Sequence, residues 1–199
     1  MTTSRLEAFS DGVFSIAATL LVLQLHVPTQ AEGDFGRALL SQWPTYASYV
    51  VSFMTIGIIW VNHHTLFARV HHVDRPLLLT NLFLLLSVST IPFPTALLGR
   101  YIGEGEASHL AAAIYGGVML TMSLSFTALW VLASRGSPLQ AGRPRPRRAI
   151  LIRTFVGLLA YLVGTALAFL SAEASLLVYG AAAIFYLLAP VQRDINRPP

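Results

Sequence analysis

Residues 5–28 read RLEAFSDGVFSIAATLLVLQLHVP. Arg5, Glu7 and Asp11 stand at the head, and no charge follows from Gly12 to Leu23. Only Ser15 and Thr19 bring hydroxyls to that apolar run. The stretch from Phe9 to Val27 has the length of a helix that crosses the hydrocarbon of a bilayer, about 20 residues. It is too long for a strand of a membrane barrel and does not alternate with period two. A helix is the other way to satisfy a backbone in lipid. What calls for explanation is a membrane helix with a carboxylate and a guanidinium at one end and little but hydrocarbon beyond.

The rest of the chain repeats the pattern. Further apolar stretches cover residues 46–67, 77–98, 110–133, 150–170 and 176–191, so six spans are expected in one domain of 199 residues. Hydrophobic residues make up 55% of the chain and charged residues only 11%, with a mean hydropathy of +0.64. Soluble domains carry about 25% charged residues. There is no cysteine, which excludes disulfides, thiolate metal sites and catalytic thiols.

All 13 basic residues are arginines. With the N-terminus in the cytoplasm, eleven of them fall in inner segments, and only Arg37 and Arg100 in outer ones. The positive-inside rule therefore puts both termini inside. The outer segments carry Glu32, Asp34, Glu104, Glu106 and Glu173, an acidic face. A net charge of +4 is no nucleic-acid signal here, because the arginines sit at span ends and in one loop. That loop, residues 135–148, is rich in arginine and proline and reads as a cytoplasmic linker whose arginines enforce topology, with contact to anionic lipid as the alternative. A cleaved signal peptide would need a basic leading region, and Glu7 and Asp11 dilute Arg5.

Helical spacing sorts the first span into faces. At about 100° per residue, Gly12, Ile16, Thr19, Leu20 and Leu23 lie within about 60° of one another's mean line, with Arg5 at its inner end. Asp11 lies about 120° away from Leu23 and Ser10 about 140°, on opposite sides. Arg5 and Asp11 are too far apart in sequence to pair along the helix. A carboxylate at mid-span costs about 2.5–3.5 kcal/mol on insertion scales and less near the interface. Asp11 is thus either a functional acid or an acid placed in the favourable field of a helix N-terminus. The topology brings Arg5, Ser10, Asp11, Trp60, His63 and Asn81 to one depth, and Trp60 and His63 share a helical face.

The histidine doublets at 63–64 and 71–72 raise the question of metal. Di-iron boxes of membrane enzymes need at least three such clusters, and His26 and His109 fall on the other side of the membrane. All six histidines lie near span ends, which does not suit haem held between helices. No catalytic residue, metal site or cofactor is expected.

Arg5, Phe9, Ser10 and Asp11 match the RxxxFSD signature of the transmembrane protein 175 family, the lysosomal potassium channel of animals and its shorter prokaryotic homologues. WVNHHTLF at 60–67, NLFLLL at 81–86 and IPFPTALLG at 91–99 also resemble that family's second and third spans. The resemblance is specific over residues 5 to about 100 and beyond that is one of span number and spacing. It implies a homotetramer in the prokaryotic plasma membrane, with a pore lined by the first span. It implies that Ile16, Leu20 and Leu23 form apolar rings at the constriction, with Thr19 beside the permeating potassium. It also implies that Arg5, Phe9, Ser10, Asp11, Trp60, His63 and Asn81 hold that span against its neighbours. The TVGYG carbonyl filter of other potassium channels does not occur. A modestly potassium-selective cation channel is the expected function, with potassium ions, lipid and further copies of the chain as partners. The competing expectation is a proton-coupled transporter using Asp11 and His63. It sits poorly with a first span that has no mid-span proline or glycine pair. A membrane oxidoreductase built on the histidine doublets is the third.

Overall fold

The computed structural model describes residues 3–28, 35–70, 72–135 and 147–188. Residues 136–146 of the expected linker and 189–191 of the sixth apolar stretch lie outside them. Among the described residues every regular element is helical. The helices are α1 (Thr3–Leu20), α2 (Phe35–Ser41), α3 (Trp43–Phe67), α4 (Arg75–Thr90), α5 (Pro92–Tyr101), α6 (Glu106–Arg135), α7 (Arg147–Leu167) and α8 (Ala172–Leu188). A 3-10 turn, Leu21–Gln24, continues α1.

Among the described residues, four helical units are long and apolar enough to cross a membrane: Thr3–Gln24, Trp43–Phe67, Arg75–Tyr101 and Glu106–Ser134. Two further apolar stretches, Phe155–Leu167 within α7 and Ala172–Leu188, are shorter. α1 begins ahead of the apolar run, so Arg5, Glu7 and Asp11 are all helical.

Local chemistry sets the helix ends. Asp74 caps α4, its Oδ1 accepting the Leu77 N–H at 3.0 Å, and a proline follows it in the first turn. The break between α4 and α5 falls at Ile91 because Pro92 and Pro94 have no N–H for the carbonyls one turn back. Side chains and tighter bonds fill part of the gap. The Ile91 N–H reaches Val88 O at 3.1 Å, and the Thr90 hydroxyl donates to Ser87 O at 2.8 Å. Two glycines with positive φ, Gly103 and Gly105, turn the chain from α5 into α6. Ser171 caps α8 by accepting the Ala174 N–H.

α1 packs against α3 and α4, α6 against α4, α5 and α7, and α8 against α3 and α7. The buried face of α1 is Leu6, Ser10, Phe14 and Ala17, followed by Leu21 in the 3-10 turn. A hydroxyl cluster sits deep in the bundle. Ser52 of α3 bonds Thr95 of α5 at 2.7 Å and Tyr115 of α6 at 3.0 Å. Close approach is bought by glycine at a few points. Gly164 of α7 and Gly116 of α6 leave room for the Tyr179 ring, and a Cβ on Gly99 would stand 2.9 Å from Thr45 Cα.

Candidate functional site

The opposite face of α1 has no cover within the subunit. Ile16 is 61% exposed, Leu20 42% and Leu23 67%, while Phe14, Ala17 and Leu21 on the other face are buried. Thr19 and Gly12 are exposed on the same side as Ile16. An added Cβ on Gly12 would meet nothing within 4 Å. The Thr19 hydroxyl is turned back to its own helix, donating to Ser15 O or Ile16 O at 3.0 Å. Leu23 sits in the 3-10 turn, where residues three apart eclipse, so it lies directly beyond Leu20 and not about one-sixth of a turn away.

In the N-terminal half of α1 a chain of hydrogen bonds joins three helices. His63 of α3 donates through Nε2 to Asn81 Oδ1 of α4 at 2.8 Å. Asn81 donates through Nδ2 to Ser10 Oγ at 3.1 Å, and Ser10 donates to Leu6 O at 2.8 Å. Each acceptor passes its own donor onward, and Ser10, His63 and Asn81 are all buried. Buried polar groups need that satisfaction, since an orphaned one costs about 1–3 kcal/mol. The imidazole is also sandwiched by rings, stacked on Phe67 at 4.4 Å and edge-on to Phe14 at 5.3 Å.

Asp11 takes a separate bond. The Trp60 indole donates from Nε1 to Asp11 Oδ1 at 2.8 Å, at the edge of the bundle. Ser10 and Asp11 thus leave α1 in different directions and find different neighbours, as their helical angles require. Arg5 and Phe9 take no part in these bonds. Both are exposed, Phe9 by 53%, on the same side of α1 as Ile16 and Leu23. Among the described residues no group of three or more His, Cys, Asp or Glu side chains is placed to hold a metal.

Comparison with known proteins adds the family. The sequence profile described as "Endosomal/lysosomal potassium channel TMEM175" matches residues 5–92, the part that contains α1, α3, α4 and the polar contacts between them. A potassium channel of Streptomyces collinus is 48% identical over 92% of this chain and 91% of its own length. The chain belongs to the TMEM175 family. The family is one of channels and not of enzymes. The crystal structure of a TMEM175 homologue from Chamaesiphon minutus, described as a lysosomal potassium-selective channel homologue, superposes with a TM-score of 0.81. It is 38% identical and covers 94% of this chain and 96% of that one. The human relative is named an endosomal/lysosomal proton channel and is 29% identical over 67% of this chain. The chain spans only 28% of that relative's length.

Sequence reasoning missed several features of this region. The 3-10 end of α1 carries no proline or glycine to announce it. The imidazole sandwich depends on Phe14 and Phe67, which read in sequence as ordinary span residues. The exposed position of Phe9 was open to the same angular count that found Ile16 and Leu23.

Proposed function

We propose that the chain is a subunit of a potassium-permeable, modestly potassium-selective cation channel, and that α1 lines its pore. The observation that carries this reading is the uncovered stripe of Ile16, Leu20 and Leu23, opposite a fully buried face on the same helix. One helix face cannot enclose a path for an ion. The stripe needs copies of itself around an axis, and a closed ring of subunits supplies them. The names of the Streptomyces collinus relative and of the homologue structure support potassium as the permeating ion, while the fourfold assembly is what the family resemblance implies.

In that assembly each subunit crosses the membrane six times with both termini inside, and the membrane is the prokaryotic plasma membrane. Repeated around the axis, Ile16, Leu20 and Leu23 become apolar rings. A narrow apolar ring excludes water and so blocks ions until it widens. Potassium gives up water more readily than sodium, which favours potassium where no carbonyl cage replaces the lost hydration. Thr19 keeps its hydroxyl on the backbone and lends only a weak dipole to the path. The C-terminal ends of the four α1 helices and the acidic outer segments favour cations at the outer mouth. Ser10, Asp11, Trp60, His63 and Asn81 fix the inner end of the pore helix, and Arg5 and Phe9 face the inner vestibule.

Proton permeation is the second reading, favoured by the name of the human relative. Asp11 and His63 would be its titrating groups, and a proton-coupled transporter would use the same pair. One experiment separates the three. Purified protein in planar bilayers, under opposed potassium and sodium gradients at fixed pH, should pass a current that reverses toward the potassium potential. Reversal that follows the pH gradient would mean proton permeation. Saturable flux without macroscopic current would mean a transporter.

A further inference from the structure

A cavity of about 360 Å³ lies between α3, α6, α7 and α8, away from the exposed face of α1. Its walls include Phe53, Trp60 and Leu187, which are exposed, so it opens on the side of the bundle. Its surface is apolar over most of its length, and Gly57 forms part of it. A Cβ added to Gly57 would meet nothing within 4 Å, so the glycine deepens the groove. At the inner end the lining becomes polar, with Asn62 and the half-buried Arg69. Asn62 uses one amide N–H on Ile58 O at 2.8 Å, and Arg69 is the positively charged residue of the lining.

The length of the groove points to its occupant. From Phe53 to Arg69 the helix and its end rise about 24 Å. One leaflet, with its headgroup layer, is about 20–22 Å deep. The two tryptophans of the lining, Trp60 and Trp130, are residues that favour the level where headgroups begin. A guanidinium facing another protein surface would be a desolvated charge in want of an anion. A phosphate supplies one with bidentate geometry.

We propose that this groove binds one inner-leaflet anionic phospholipid, with an acyl chain along Gly57 and the phosphate on Arg69. The proposal rests on the inward placement of the arginines and not on ion conduction.

Native mass spectrometry of the purified full-length protein tests it, with phosphatidylglycerol or phosphatidylcholine added in turn. The wild type should retain phosphatidylglycerol about fivefold over phosphatidylcholine, the preference one arginine confers near a membrane surface. Arg69→Gln should remove that preference and leave retention of the neutral lipid. Gly57→Leu should fill the groove and abolish retention of both. Ser123→Leu fills the same space from α6, with the same expectation, so misfolding of one variant leaves the other to report. Equal retention of the two lipids by the wild type overturns the proposal, as does a preference that survives Arg69→Gln. Plugged variants that keep the lipid but lose their oligomer would make the groove a contact between copies, and would overturn it as well.

Discussion

At the scale of single residues, Asn81 and Trp60 make different demands. Asn81 serves two buried partners, so Asn81→Leu orphans the His63 donor, bonded at 2.8 Å, while Ser10 loses the bond it accepts at 3.1 Å and keeps its own to Leu6 O. Each orphaned buried group costs about 1–3 kcal/mol. Trp60→Phe removes one bond to Asp11 at a site where Trp60 is 44% exposed and water can substitute. About 1.5 kcal/mol is the scale for that loss. Thermal melting in detergent should therefore rank Asn81→Leu well below Trp60→Phe, and the reverse order would mean that the buried chain of bonds contributes little. The sequence makes these partners legible only as far as depth. Helix spans and arginine placement bring Ser10, Asp11, Trp60, His63 and Asn81 to one level, because axial position follows from counting. Which of them touch depends on rotation about each axis and on packing angles, and a single sequence does not encode those in any local pattern. Arg5 and Phe9 show the limit, since they share the signature with Ser10 and Asp11 yet point elsewhere.

At the scale of elements, glycines decide how near two helices come. Gly99→Ala would press a methyl against Thr45 Cα at 2.9 Å and Ser48 Oγ at 2.8 Å, forcing α5 away from α3. Overpacking of this kind costs about 1–3 kcal/mol. Gly117→Ala on α6 meets nothing within 4 Å and should gain up to about 1 kcal/mol of helix propensity. Melting temperatures of the two variants should move in opposite directions from the wild type, and a matching loss in both would sink the packing argument. Sequence alone shows small-residue patches without saying which are contacts. Gly116 and Gly164 receive the Tyr179 ring, a partner far along the chain, while Gly117 beside them receives nothing. Prolines are more open to reading, because their chemistry acts on their own backbone. Pro92 and Pro94 announce an interruption near the C-terminal end of a span, and the break comes at Ile91.

At the scale of the whole molecule, the exposed stripe of α1 predicts behaviour that a monomer cannot have. Ile16→Asn would wet one apolar ring of the proposed constriction, raising conductance and moving the potassium-to-sodium permeability ratio toward unity. Leu23→Ala should act in the same direction more weakly, at the edge of the constriction. Bilayer recordings of both variants check this, and currents indistinguishable from the wild type would remove α1 from the pore. The way α1 is held has a mechanical meaning too. Thr3, Ser10 and Asp11, all in the first half of α1, take part in side-chain hydrogen bonds with other parts of the chain. Beyond Asp11 the helix rests on its neighbours only through apolar contact, which has no preferred direction. It is a cantilever, riveted at the root and free to slide at the tip. Amide hydrogen exchange in nanodiscs should be slowest near Ser10 and quicken toward Gln24, where the 3-10 turn ends. Thermal agitation too weak to loosen the root can still swing the tip, and Leu23 rides on the tip.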